Sequence, residues 1–317
     1  MKLLHLSDVH VHHAAWPPPL FSGGWRRVLA QVELRGLRRG YQFLRAPEVL
    51  ARIAEEATAE AVDHVVLSGD LTTLALEEEF RAARRALEPL IAQHRITLVP
   101  GNHDRYTPAA RRQRRFEAHF GDLLQSDLPE YCVDGAFPLV HLVGEALAVV
   151  GLDSALVPSI PGFSYGRVGR RQREALARIL ADPRVQGRRI VVTLHHGPYR
   201  HTGRRDRPSH GLHDARAVLD LCAAGGVDAL LHGHLHERFR LRCPRRGIEV
   251  FGAGSSTQAG LEGYWLLDLS GEGIRAEARE VRLPEPAPAE APAVLRERGA
   301  ASSKRLAMPS KGTGSFR

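Results

Sequence analysis

Two aspartates, one asparagine and a set of histidines stand out in this chain, because they fall in five short blocks that each close an apolar run. Asp8 and His10 follow Leu3, Leu4 and Leu6. Asp70 follows Val65, Val66 and Leu67 by way of Gly69, and Asn102, His103 and Asp104 follow residues 96–99 by way of Pro100 and Gly101. His195 and His196 close residues 190–194, while His234 and His236 follow Leu230 and Leu231 by way of Gly233. A short apolar run stopped by glycine or proline reads as a buried strand. All five blocks therefore sit at carboxyl ends of strands, where α/β sheets gather residues from distant parts of the chain into one crevice. Imidazole, carboxylate and amide oxygen together suit divalent transition metals, and no thiolate accompanies them. One zinc takes about four ligands. Asp8, His10, Asp70, Asn102, one histidine of the His195-His196 pair, His234 and His236 thus suffice for two ions sharing a carboxylate. Such ion pairs lie roughly 3.5–4 Å apart and activate water for in-line attack at phosphorus.

The order D-x-H, G-D, G-N-H-D, H-H, G-H-x-H, running from Leu3 to His236, resembles the calcineurin-like metallophosphoesterase family. The resemblance implies a four-layer sandwich of two mixed β-sheets flanked by helices, and the later strands would complete the domain near Leu283. It implies that Asp8, His10 and His236 hold one metal, that Asn102, His195 and His234 hold the other, and that Asp70 bridges them. His195 is favoured over His196 because the first histidine of H-H-x-P segments is the usual ligand in such proteins; His196 then lies behind it or faces substrate. His103 would contact the scissile phosphate and protonate the leaving oxygen, Asp104 would orient a neighbouring ring, and a metal-bound hydroxide would attack phosphorus. After Gly69-Asp70 the chain reads Leu71-Thr72-Thr73, without the second aspartate and the arginine of Ser/Thr protein phosphatases. G-D-L-T resembles instead the bacterial branch that includes cyclic-nucleotide phosphodiesterases.

The elements that must carry these blocks alternate strand and helix, which predicts an α/β domain with mainly parallel pairing near the ligands. Helices are expected over 47–59, with proline in the first turn, and over 76–93, 108–120, 169–180 and 214–224. Further strands are expected over 146–152, 248–251 and 264–269. The helix over 108–120 is strongly basic at Arg111, Arg112, Arg114 and Arg115, a solvated face or a wall near substrate. Residues 197–211 turn irregular after the His195-His196 block and form a lid, with Arg200 and His201 as candidate substrate contacts. Gly69, Gly101 and Gly233 are expected to let the backbone turn at the rim. His5, His64, His94, His119, His141 and His232 are expected to be ordinary packed or surface residues, and His12 and His13 loop residues.

Ligand candidates from Asp8 to His236 argue for one domain over 1–283, with a basic insertion at 11–46 and a Pro/Ala-rich, disordered tail at 284–317. The insertion holds six arginines (Arg26, Arg27, Arg35, Arg38, Arg39, Arg45) against Glu33, and places Trp25, Val28, Leu29 and Val32 at helical spacing. It is expected either to pack on the sheet edge with a solvated basic face or to wall the metals and draw in anionic substrate, with peripheral membrane contact as a weaker alternative. A net charge of +8 attracts phosphorylated metabolites, nucleic acid and acidic lipid alike. The favoured substrate is a phosphorylated small molecule, as diester or monoester; a nuclease and a non-catalytic metal scaffold are the alternatives. Mn, Fe or Zn all fit the ligand set. Three widely spaced cysteines, with no signal-peptide run and no span of roughly 18 apolar residues, point to a reducing cytoplasm. Oligomeric state carries no signal.

Overall fold

In the computed structural model, which describes residues 1–11, 42–160, 162–243 and 246–284, two mixed sheets stack face to face. The strands are β1 (Lys2–Leu6), β2 (His64–Leu67), β3 (Ile96–Leu98), β4 (Leu139–Val143), β5 (Leu147–Gly151), β6 (Arg189–Thr193), β7 (Ala229–His232), β8 (Arg238–Arg242), β9 (Glu249–Ala253), β10 (Gly263–Asp268) and β11 (Arg275–Glu280). One sheet runs β11-β10-β1-β2-β3, the other β4-β5-β6-β7-β9-β8. Pairing is parallel across β1-β2-β3 and across β5-β6-β7-β9, and antiparallel at the outer strands.

Side chains of a strand alternate between faces, and here that alternation sorts the core into three layers. Leu4, Leu6, Val65, Leu67 and Leu98 turn outward onto α1 (Ala46–Ala59) and α2 (Glu77–Ile91), meeting Val49, Leu50, Ile53, Phe80, Leu87 and Leu90. Ala148, Val150, Ile190, Val192 and Leu230 turn the other way onto α5 (Arg170–Leu180) and α6 (Ala215–Ala224), meeting Leu176, Ile179, Val218 and Leu219. Leu3, Val66, Val149, Val191, Leu231, Phe251 and Trp265 fill the space between the sheets. Helix, sheet, sheet, helix is the four-layer order, and Met1–Leu283 form one compact unit. The basic segment at 12–41, including His12, His13 and the expected helix near Trp25, and the tail from 285 onward lie outside the described residues.

The expected helix over 108–120 is corrected. It is two short pieces, α3 (Pro108–Arg112) and α4 (Arg115–Phe120), because Arg114 adopts φ 49° in the left-handed region. That break rotates Phe116 and Phe120 into the core beneath α2 and sends the arginines elsewhere. No helix among the described residues is long and apolar enough to cross a membrane.

Two of the packed histidines form a buried relay: His64 Nε2 lies 2.7 Å from Thr97 Oγ1, which lies 2.8 Å from His141 Nδ1, whose Nε2 is 3.1 Å from the Gln125 carbonyl. Burial holds both imidazoles below their ordinary range, His141 at about 4. As pH falls below 6.5 the unfolded chain takes up a proton that folded His141 refuses until about pH 4, so stability drops across that window. The loss expected at this site is about 3 kcal/mol. Urea unfolding at pH 7 and 4.5 should give a smaller difference for His141→Gln than for the wild type; equal pH slopes would count against the relay.

Candidate metal centre

The two sheets supply one half of the site each. β1, β2 and β3 end at Asp8 and His10, at Asp70, and at Asn102 and His103, while β6 and β7 end at His195 and at His234 and His236. The parallel ladder continues past the strand ends: Asp8 N donates to Gly69 O at 3.0 Å, His10 N to Asp70 O at 3.0 Å, and Gly233 N to His195 O at 3.1 Å. Five of the seven ligand candidates have positive φ: Asp8 (52°), His10 (40°), Asp70 (55°), His234 (73°) and His236 (54°). Left-handed backbone at a residue other than glycine costs roughly 1–3 kcal/mol and persists where surrounding contacts impose it. Here Ser255 Oγ donates to Asp8 O at 2.8 Å, Thr257 Oγ1 to Val9 O at 2.6 Å, and His234 N to Asp8 Oδ2 at 3.0 Å.

Each candidate imidazole is oriented through its outer nitrogen, which leaves the inner nitrogen with a lone pair toward the centre. His10 Nδ1 donates to Thr72 O at 3.1 Å, and its Nε2 faces His236 Nε2 at 3.4 Å. His236 Nδ1 is held by Gln258 Oε1 at 3.0 Å, and its Nε2 lies 3.4 Å from Asp8 Oδ1. On the other side His195 Nδ1 donates to Ser68 O at 2.8 Å, and its Nε2 lies 3.0 Å from Asn102 Oδ1 and 3.3 Å from Asp70 Oδ2. His234 Nε2 donates to His210 O at 2.9 Å, which turns Nδ1 to within 2.9 Å of the same Asn102 oxygen. Asp70 Oδ2 lies between the clusters, 3.9 Å from His10 Nε2, and its Oδ1 accepts the His103 N–H at 2.8 Å. Lone pairs and carboxylate oxygens facing one another repel unless a cation or a proton lies among them. The donor set therefore fits two divalent ions, with Asp70 between.

Electrostatics agree. Burial holds His10 and His234 well below the usual imidazole range, in the neutral form a ligand needs, and pushes Asp8 up. Although burial alone would raise Asp70, His195, His103 and His10 hold its carboxyl well below the usual range. Burial would lower His195, but Asp70 and then Asp8 raise it to about 9, so a proton occupies that edge when no cation does.

His196 lies close enough to His195 and His234 to complete a geometric triad. Both its nitrogens are engaged, however, Nδ1 with Ser154 Oγ at 2.9 Å and Nε2 with Ser164 O at 3.0 Å, so it packs behind the ligands. His103 donates Nδ1–H to Thr73 O at 2.7 Å, stacks on Tyr106 with centroids 5.6 Å apart, and meets His10 edge-on at 5.1 Å.

Asp104 is corrected: it orients no ring. Its carboxylate accepts Leu71 N at 3.0 Å, Thr72 N at 3.0 Å and Gly101 N at 2.9 Å, pinning the Asp70 turn to the Asn102 turn. Arg200 and His201 are both exposed, and His201 pairs with Glu237, the neighbour of His236. The part of that loop that does reach the centre is His210, whose ring stacks on His234 at 4.0 Å and whose Nδ1 is tied to Asp206. Only its place in a loop after a ligand block hinted at that; Ser154 follows a strand expected to end at the same rim, and nothing in the sequence marked Gln258.

Of the three rim glycines, Gly69 does take positive φ (99°), whereas at Gly233 the requirement is room: a Cβ there would sit 1.9 Å from Ser7 Oγ and 2.4 Å from Asp8 Oδ2. Gly233→Ala should displace the Asp8 carboxylate and lower bound metal by at least about tenfold in affinity. Metal analysis after dialysis checks this; full metal content in the variant would refute it.

The calcineurin-like phosphoesterase family model matches residues 1–238. A "probable cyclic nucleotide phosphodiesterase" of Rhodococcus erythropolis is 28% identical over 243 residues, 74% of this chain and 64% of that protein, so the chain spans somewhat under two thirds of that relative. Among solved structures, a dimetal phosphatase from Danio rerio superposes with TM-score 0.59 at 16% identity, covering 88% of this chain and 96% of the other. The purple acid phosphatase PPD1 from yellow lupin (Lupinus luteus) seeds gives TM-score 0.59 at 13% identity over 88% of this chain and 51% of the other. At these identities the structures speak to the fold, which is the two-sheet sandwich described above.

Proposed function

We propose, from the premise that the chain belongs to the calcineurin-like phosphoesterase family, that residues 1–283 form a metal-dependent hydrolase of a small phosphodiester, a nucleotide being the favoured class. The observation that carries this is the pair of inward-facing clusters joined through Asp70. Asp8, His10 and His236 would hold one ion, Asn102, His195 and His234 the other, and Asp70 both. When bound, the ions supply Lewis acidity that lowers the pKa of water and offsets charge on the phosphoryl oxygens. Nitrogen and oxygen donors accept Mn, Fe or Zn.

The chain's own residues do the rest. Thr72, Ser68 and His210 carbonyls hold the ligand rings in the correct tautomer. His103, fixed through Nδ1 by Thr73 O, keeps Nε2 without a hydrogen-bond partner among the described residues and can deliver a proton to the departing oxygen. Phe43, 8% exposed and 4.8 Å from the His10 ring, covers the first cluster on one side and keeps bulk water from it. Cys132, Cys222 and Cys243 are unpaired, in keeping with a reducing compartment such as the cytoplasm.

The test is hydrolysis by the Mn²⁺-loaded full chain of bis-p-nitrophenyl phosphate beside p-nitrophenyl phosphate, with cyclic AMP and single-stranded DNA as competitors. Diester cleavage inhibited by cyclic AMP and not by DNA is expected. Inhibition by DNA alone would favour a nuclease, and inertness with every divalent ion would overturn a catalytic role.

A further inference from the structure

A cleft of about 490 Å³ is lined by none of the metal-ligand candidates, and its chemistry differs from that of the centre. Five arginines contribute to its wall, among them Arg105, Arg111, Arg114 and Arg167. Arg105 is buried and committed, with bonds of 2.8 and 2.9 Å to Glu117 and 3.1 Å to Asp153. Asp134, the remaining acid of the wall, is taken by Arg171 at 2.9 Å. Arg111, Arg114 and Arg167 are left exposed with no ion pair among the described residues. Arg114 owes its place to the left-handed break between α3 and α4, a conformation unfavourable for arginine. α5 starts on the same wall, but its positive end is already met by Asp214, whose carboxylate accepts Val168 N at 3.1 Å and Gly169 N at 2.9 Å, so the arginines alone supply the field. Phe137, Leu156 and Val168 give the cleft an apolar part.

We propose that this cleft is a second anion-binding site, separate from the metal centre, which takes the phosphate of a phosphomonoester of nucleoside-monophosphate size. Three guanidiniums without close ion pairs around one cavity suit the oxygens of a dianion, with Asp153 and Glu117 acting on Arg111 and Arg114 only from a distance, and the volume lies within the range of small-molecule sites, roughly 300–1,000 Å³. The cleft and the centre share chain: Arg105 directly follows Asp104, and Asp153 precedes Ser154, which holds His196. A monoester here is either a free molecule, such as a released product, or the remote phosphate of a longer substrate.

Calorimetric titration of the full Mn²⁺-loaded chain with AMP separates these cases. Two sites per chain are expected for the wild type and one for Arg111→Glu/Arg167→Glu, with the lost site weakened by about tenfold or more. Both residues are exposed, so an unchanged melting curve should accompany the loss. Asn102→Ala should lose the other site and keep this one, which leaves the cleft measurable even if the phosphoesterase proposal fails. If AMP alters kcat for bis-p-nitrophenyl phosphate in the wild type and not in the arginine variant, the ligand is a free monoester. If it does not, and a dinucleotide loses kcat/KM in the variant, the ligand is the substrate's remote phosphate. Identical isotherms for wild type and the arginine variant would overturn the site.

Discussion

Asp70→Asn is expected to lower Mn²⁺-dependent diester hydrolysis by at least about a thousandfold, because the substitution removes one charge and almost nothing else. Asp70 Oδ2 stands 3.3 Å from His195 Nε2 and 3.9 Å from His10 Nε2, so this carboxylate lies between the two clusters. Its other oxygen accepts the His103 N–H at 2.8 Å, a bond an asparagine oxygen can keep. The turn should therefore survive, with an unchanged circular dichroism spectrum, while the attraction holding the two ions together is lost. A variant that retains more than about a tenth of wild-type activity would show that the negative charge at this position is dispensable.

His103→Gln should be nearly as damaging, but selectively. General acid catalysis contributes about 10²–10⁴ in rate, and its share depends on how badly the leaving group needs a proton. The nitrophenolate of bis-p-nitrophenyl phosphate leaves readily without one, whereas the ribose oxygen of a cyclic nucleotide does not. The expected loss is therefore small for the aryl diester and at least about a hundredfold for cyclic AMP. Equal losses on both substrates would mean that the His103 side chain does no proton transfer, since the backbone N–H to Asp70 Oδ1 survives the substitution.

Much of this centre was legible in the sequence because a buried strand and the residues after it leave a local mark. Apolar runs closed by Gly69, Pro100-Gly101 and Gly233 place Asp70, Asn102 and His234 at one rim whatever the rest of the chain does. The helices over α1, α2, α5 and α6 showed for the same reason, as one-sided apolar stripes. Three strands did not. β8 and β11 are edge strands whose arginines and glutamates, useful against unwanted pairing, hide the alternation. β4 reads as apolar in the sequence but follows a long irregular stretch that gives no phase.

Roles set by contacts across the fold were the harder part. Asp104 looks like any carboxylate beside a ligand until Leu71, Thr72 and Gly101 are seen to converge on it. Arg200 and His201 occupy the expected loop, yet it is His210, further along it, that folds back onto His234. The helical periodicity of residues 108–120 gave no warning of the break at Arg114, since that break serves Phe116 and Phe120 in a core assembled from other segments.

The most direct test of the twin-cation centre is an anomalous difference map from crystals of the full chain grown with Mn²⁺. Two peaks are expected, one among Asp8, His10 and His236 and one among Asn102, His195 and His234, both within bonding distance of Asp70. A single peak, or none beside these side chains, would contradict the assignment.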